Sequence, residues 1–323
     1  MTTSNAYQDK PWLAHYDKGV PETVTYEETC LPEFLDRSAQ KFPNTMALLF
    51  QGYQLTYGEL KEVVDRFAAC LVEFGIQKGD SVAILLPNVI PCVVGYYAIL
   101  KIGATAVMNN PLYTDRELEH QFNDSGSKLL ITLDLLGNRM IDLRPKTSIK
   151  QIIYTSIGDY LPFPKNFLFP LVGKKKGLKA DVKSAPDVYR WKDVLERLNG
   201  EPPKVKLSFE DTAMYQYTGG TTGVSKGVML THANLSKQVQ HIRRWFPGFN
   251  DGEEVLLGAL PFFHVFGLST AMNFCIYAGW GNILIPKPQP EPLLEAMSKF
   301  KPTFAPLVPT MFIGLLNHPG FDK

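Results

Sequence analysis

The chain has 323 residues, of which 45% are hydrophobic and 20% charged, and its formal net charge is +1. That length and composition are enough to bury one or two large cores. A charge so near zero gives no general attraction to nucleic acid, so we expect no nucleic-acid partner. The four cysteines are scattered without CxxC or zinc spacing, which is typical of small buried side chains in a reducing compartment.

No secretory signal is visible at the N-terminus, and no run approaches the roughly 18 apolar residues of a membrane span. We therefore predict a cytoplasmic protein. The sequence does not determine the oligomeric state, although a homodimer is compatible with it.

Short apolar runs rich in β-branched residues alternate with helical patterns in the first half of the chain. The predicted elements are a hairpin at 46–57, helices at 57–74 and 91–100, a helix capped by Thr114 and Glu117, and strands at 81–86, 104–108, 128–132 and 151–155. This β-α-β-α order predicts an α/β fold with mainly parallel sheets covered by helices.

The alternation breaks at 158–190, which we interpret as an irregular insertion, and then resumes. The later predicted elements are helices at 191–198, 231–245 (capped by Thr231), 266–278, 292–300 and 309–317, and strands at 213–217, 255–260, 282–285 and 303–305. We divide the single partial domain, 1–323, into an α/β subdomain at about 1–200 and a second at 201–323.

The most informative stretch is the tract YTGGTTGVSKGVML at 217–230. It combines glycines, hydroxyl side chains and one lysine, and the candidate phosphate-binding residues are Thr218, Gly219, Gly220, Thr221, Thr222, Gly223, Ser225 and Lys226. Glycines let backbone amides approach an anion, and a lysine adds a mobile point charge. The alternative is a surface turn that Thr221 and Thr222 merely shape. The spacing does not fit G-x-x-x-x-G-K-[ST], which disfavours an ordinary P-loop nucleotide hydrolase.

Four ordered motifs resemble the acyl-adenylate-forming enzymes. They are LTYGEL at 55–60, LKIGATAVMNNPLY at 100–113, the glycine-rich tract, and LPFFHVFGL at 260–268. The resemblance runs from about Leu31 onward and is closest to bacterial long-chain fatty acyl-CoA synthetases, because of NPLYTDRELEHQFNDSG and the doubled glycine of YTGGTTG. Most relatives carry Ser or Thr at the position of Gly219 and commonly proline at that of Ser225, and neither change removes the lysine.

The resemblance implies the fold of the large N-terminal domain of acyl-CoA synthetases and a reaction in two halves. A fatty acid attacks ATP to give acyl-AMP, and coenzyme A then displaces AMP. Lys226 and the loop would hold the phosphates, Thr218 would also touch Mg²⁺, and His264 would lie near the substrate carboxylate. Taken alone, His264 reads as a hydrogen-bonded core residue, and His120 and His241 as surface or structural residues.

Two regions leave alternatives open. The aromatic stretch at 262–281 suits the wall of an acyl tunnel, or equally an ordinary core. The segment at 163–179 alternates bulky apolar residues with lysines, a pattern typical of contact with an anionic membrane, here its inner face. A mobile, solvated loop is the alternative.

The family's later motifs are absent: the adenine-contacting Tyr-Gly-x-Thr-Glu, the ribose-binding Thr-Gly-Asp, and the C-terminal lid domain with its lysine. We therefore expect the N-terminal part of a longer enzyme, inactive alone. A medium-chain or aryl acid ligase of the same family is one alternative. A non-catalytic binding or scaffold remnant of the fold is another.

Overall fold

The computed structural model describes residues 9–197, 204–219 and 224–321, and every structural statement below concerns these residues. The strands are β1 Met46–Phe50, β2 Tyr53–Thr56, β3 Ser81–Leu85, β4 Thr105–Met108, β5 Leu129–Leu133, β6 Gln151–Thr155, β7 Val188–Arg190, β8 Thr212–Thr218, β9 Lys226–Thr231, β10 Val255–Gly258 and β11 Gly281–Leu284. The helices are α1 Leu31–Lys41, α2 Tyr57–Glu73, α3 Ile90–Lys101, α4 Asp115–Asp124, α5 Asp134–Leu143, α6 Lys165–Lys175, α7 Trp191–Arg197, α8 His232–Trp245, α9 Val265–Gly267, α10 Phe274–Ala278, α11 Pro290–Phe300 and α12 Pro309–Leu316.

The strands form two sheets. One has the order β7-β6-β5-β3-β4-β8-β9 and is parallel except for its last pair, β8 and β9. The other has the order β10-β11-β1-β2 and is parallel except for the β1–β2 hairpin. Helices flank these strands, so the predicted α/β fold with mainly parallel sheets is confirmed.

The largest of the three hydrophobic clusters in the described part of the chain contains residues of both sheets. It contains Leu48 of β1, Ile84 of β3 and Leu256 of β10. Helix α3 belongs to this core, and its residues from Ile90 to Leu100 are all buried. A helix that is apolar on all sides lies inside a protein, and α3 packs within this core against β3 and β4.

The predicted helix starts are confirmed at atomic detail. The Thr114 hydroxyl accepts from the Glu117 amide, while the Glu117 carboxylate accepts from the Thr114 amide at 2.7 Å. Thr231 caps α8 in the same way, with Asn234 as its reciprocal partner. These caps fix the starts of α8, which directly follows the β8–β9 hairpin in sequence, and of α4, which contacts the hairpin loop in space.

The sequence predicts an irregular insertion at 158–190. The structure shows instead that this segment contains α6 and ends in β7. Helix α6 is attached through the Phe169 ring, which lies against Gly158 and Gly173. A Cβ at Gly158 would come within 2.4 Å of that ring. The helix escapes pattern analysis because it has apolar residues on all sides and Pro170 inside it.

The predicted strand at 303–305 is reduced to one bridge between Leu256 and Phe304, and the antiparallel β9 is not anticipated. The predicted division into two subdomains near residue 200 stays a prediction. Each sheet, however, contains strands from both sides of that residue. Strand β1 pairs with β11, and β8 pairs with β4. No helix in the described part of the chain is long and apolar enough to cross a membrane.

Candidate functional site

The glycine-rich loop connects the two strands of the antiparallel hairpin. Thr218, the last residue of β8, is the direct cross-strand partner of Lys226, the first residue of β9. Both side chains are exposed, as is Gly219. The candidates Gly220, Thr221, Thr222 and Gly223 lie outside the described residues. The structure therefore places one hydroxyl and one ammonium group opposite each other, where the loop leaves the carboxyl end of a parallel strand.

Helix α4 holds the returning side of this loop. The His120 Nε2–H donates to the Ser225 carbonyl at 2.8 Å, and the Gln121 amide lies 3.5 Å from the Ser225 hydroxyl. Gln121 is itself held by the Asn109 side-chain amide, which donates to it at 2.6 Å. His120 and Gln121 belong to the tract NPLYTDRELEHQFNDSG, which therefore positions the loop. The sequence alone does not predict this role.

Tyr217 anchors the outgoing side of the loop. Its hydroxyl donates to the Asp124 carboxylate at 2.7 Å, and burial together with that carboxylate raises the pKa of Tyr217 well above its usual value. Its ring lies across Gly227, its partner on β9, where an added Cβ would come within 3.1 Å of the ring. Gly227 in YTGGTTGVSKG therefore provides the space that this tyrosine occupies.

His264 is exposed at the start of α9. Its Nδ1 accepts from the Phe266 amide at 3.2 Å, which places the proton of the neutral imidazole on Nε2. Gly267 lets this turn sit directly on the preceding chain, since a Cβ there would lie 2.3 Å from the Pro261 carbonyl oxygen. His264 is therefore not the core histidine of the alternative interpretation but an exposed N–H donor.

Two buried amides hold the His264 segment against the seven-stranded sheet. Asn88, which follows β3, donates to the carbonyls of Gly258 and Leu260 at 2.9 and 2.8 Å and accepts from the Phe262 amide at 2.9 Å. Gln216 of β8 donates to the Phe263 carbonyl at 3.2 Å. Because Gln216 lies two residues before Thr218, the structure brings the loop and the His264 segment to one edge of the fold.

The aromatic stretch at 262–281 is mainly core. Phe262, Phe274 and Trp280 are fully buried, and Trp280 packs edge-on against Phe274. Phe263 and Phe266, on either side of His264, are partly accessible to solvent. Two cavities of about 480 and 490 Å³ flank α6, and neither is lined by this stretch. The acyl-tunnel interpretation stays a prediction.

Thr218 is the residue that the sequence predicts to contact Mg²⁺. Among residues 9–197, 204–219 and 224–321, no group of three His, Cys, Asp or Glu side chains could hold a metal ion. Mg²⁺ commonly binds through phosphate oxygens and water with few protein ligands. The exposed hydroxyl of Thr218 is an oxygen donor that fits this chemistry.

Comparison with known proteins identifies the class to which this fold and site belong. The family of AMP-binding enzymes matches residues 35–323, so the chain belongs to that family. It is 41% identical over 313 residues to the long-chain-fatty-acid–CoA ligase of Bacillus subtilis, covering 96% of this chain. It is 34% identical over 321 residues to the ligase of the same name from Salmonella typhimurium, covering 97% of this chain.

Solved structures agree on the fold. The structure of a long-chain-fatty-acid–CoA ligase from Archaeoglobus fulgidus superimposes with a TM-score of 0.76 at 27% identity, over 94% of this chain and 56% of that one. An anthranilate CoA ligase in complex with anthranoyl-AMP gives a TM-score of 0.75 at 19% identity, over 93% and 53%. The chain spans 56% of the Bacillus relative and 57% of the Salmonella one, and thus matches an N-terminal portion of these proteins.

Proposed function

We propose that this chain supplies the phosphate-binding half of an ATP-dependent long-chain fatty acid–CoA ligase. The observation that supports the proposal best is the β8–β9 hairpin. It exposes Lys226 opposite Thr218 beside the segment that presents His264. Membership of the AMP-binding family and the names of the two bacterial relatives point to the same reaction.

The chemical problem is that a carboxylate anion must attack the α-phosphorus of a polyanion. Lys226 would neutralise charge on the β- and γ-phosphates and on the departing pyrophosphate. One such contact at 4 Å is worth about 4 kcal/mol in an environment of effective dielectric near 20, before desolvation. When bound, Mg²⁺ would neutralise further phosphate charge, with Thr218 as one oxygen donor.

His264 would orient the acid. Its Nδ1 is occupied by the Phe266 amide, so its Nε2–H is free to donate to a substrate carboxylate. That donation would hold one carboxylate oxygen and leave the other to attack. The thiol of coenzyme A would then displace AMP from the acyl-AMP, giving the acyl-CoA.

The acid itself is inferred from the relatives. A long chain gains about 0.8 kcal/mol for each buried CH₂, so pocket depth would set the length preference. Medium-chain or aryl acids are the alternative substrates, and a scaffold without catalysis is the alternative of another class. These alternatives can be separated by assaying acyl-CoA formation by the full polypeptide that carries this chain, with fatty acids from C8 to C18 and with benzoate.

The decisive test changes Lys226. In the full polypeptide, Lys226→Ala should lower the rate of acyl-AMP formation on the order of 100-fold, as for loss of one charge-stabilising donor. Lys226→Arg should retain more of it. Lys146→Ala, at an exposed lysine of the seven-stranded-sheet region, is the matched control and should be neutral. Full turnover by Lys226→Ala would refute the proposal.

The 323-residue chain by itself should form little acyl-AMP, because it spans just over half of its relatives. Pyrophosphate release measured with palmitate and ATP tests this directly. A rate equal to that of the complete relative from Bacillus subtilis would contradict it.

A further inference from the structure

Helix α6 leaves a large apolar surface open to solvent. Phe163, Phe167 and Leu171 are 83, 78 and 76% exposed. Phe167 and Leu171 are four residues apart and therefore share one face of the helix. Monomeric proteins rarely expose large side chains in a contiguous row unless the row contacts something.

The apolar surface continues beside the helix. On one side, Leu168 and Val172 of α6 line the cavity of about 490 Å³ together with Leu161 and Leu178. Phe50, the last residue of β1, also lines this cavity. Helix α6 is thus apolar on its outer face and on one flank, while its inner face is occupied by Phe169 against Gly158 and Gly173.

Lysines surround this surface, and most of them lack an acidic partner. Lys165, Lys175, Lys176 and Lys179 make no ion pair within the described part of the chain, whereas Lys174 pairs with Asp181. From 165 to 192 the sequence has eight basic and two acidic residues, and Lys183, Arg190 and Lys192 pair with Asp142 and Asp159 outside that stretch, so the unpaired charge lies on the four lysines of 165–179. Four unpaired ammonium groups beside an apolar surface favour an anionic partner.

We propose that α6 and its flanking residues, 163–179, form a docking surface for an anionic lipid bilayer. Phe167 and Leu171 would enter the headgroup–acyl boundary, and the free ammonium groups would contact lipid phosphates. A bilayer fits better than a protein groove because apolar side chains lie on two sides of the helix with ammonium groups around them. The proposal does not depend on which acid the enzyme activates.

Binding to vesicles tests the proposal without an activity readout. The 323-residue chain is sedimented with vesicles of phosphatidylcholine containing 30% phosphatidylglycerol, and with pure phosphatidylcholine as the uncharged comparison. We expect binding to the anionic vesicles that weakens when salt is raised from about 0.05 to 0.5 M, since exposed charges are screened. Equal binding to both vesicle types would overturn the electrostatic argument.

Two variants separate the charged and the apolar contributions. Lys175→Gln with Lys176→Gln should weaken binding on the order of 30-fold, at about a factor of five per lysine near an anionic surface. Its control, Lys146→Gln with Lys150→Gln, removes two exposed lysines elsewhere and should bind like the parent chain.

The apolar variant, Phe167→Ser with Leu171→Ser, should abolish most of the remaining affinity. Its control is Phe312→Ser with Ile313→Ser on α12, which removes two side chains that are also exposed. Unchanged vesicle binding by either α6 variant would overturn the proposal. So would loss of self-association by these variants without any change in vesicle binding, because the surface would then belong to a second copy of the chain.

Discussion

Replacing Asn88 should uncouple the His264 segment from the seven-stranded sheet. The side chain is 2% exposed and makes three hydrogen bonds of 2.8 to 2.9 Å to backbone groups of 258–262. Each bond contributes roughly 1 kcal/mol net, and a buried backbone group left without a partner costs about 1 to 3 kcal/mol. We therefore expect Asn88→Ala to lower the free energy of unfolding by about 3 to 5 kcal/mol.

The measurement is urea unfolding of the 323-residue chain, followed by tryptophan fluorescence and circular dichroism. Asn138→Ala is the matched control, because Asn138 also donates to one backbone carbonyl and accepts from one amide, but these bonds are exposed. Water replaces exposed bonds, so this variant should lose less than about 1 kcal/mol. A loss below about 1 kcal/mol for Asn88→Ala would refute the idea that this amide joins the two sheets.

Three further predictions follow from particular contacts. Gly219→Ser should change the free energy of unfolding by less than about 0.5 kcal/mol, because no described residue lies within 4 Å of an added Cβ; a larger loss in urea unfolding would contradict the open position. Gly227→Ala should cost about 1 to 3 kcal/mol by displacing the Tyr217 ring, as measured by the same unfolding assay, and an unchanged midpoint would count against the close packing. His232 is buried, and burial lowers its pKa to about 4 from 6.5. The unfolded chain therefore binds the extra proton between pH 6.5 and 4, so stability should fall by about 3 kcal/mol as the pH is lowered through this range. His232→Gln should remove most of that slope, and an identical slope in the variant would assign it to other groups.

The sequence predicts those elements whose signals are local. The cap of α4 needs only Thr114 and Glu117, three residues apart, and the structure contains it. Buried parallel strands such as β3 are recognisable because every residue in them is apolar or small. Thr218 and Lys226 are recognisable as candidate phosphate-binding residues because the glycines, hydroxyl side chains and lysine of the tract are adjacent in the sequence.

The contacts that assemble the site are not local, which is why the pattern does not reveal them. Asn88 reaches partners 170 to 174 residues away, and His120 reaches a carbonyl 105 residues away. Strand β9 has no buried face, since Val228 and Met229 are exposed, so it lacks the alternation that marks a strand. In each case the deciding interaction exists only after distant segments have met.

The pairing of β1 with β11 constrains how the chain reaches its native form. Leu48 lies beside Asn282, so the second sheet cannot close until the chain has been made to a point 234 residues downstream of Leu48. The strands from β3 to β9 pair only with one another, and the last of them ends at Thr231. Their sheet can therefore form earlier. During synthesis the β1–β2 ribbon must therefore wait with an unpaired edge, and separate expression of 1–200 would leave that edge permanently open to aggregation.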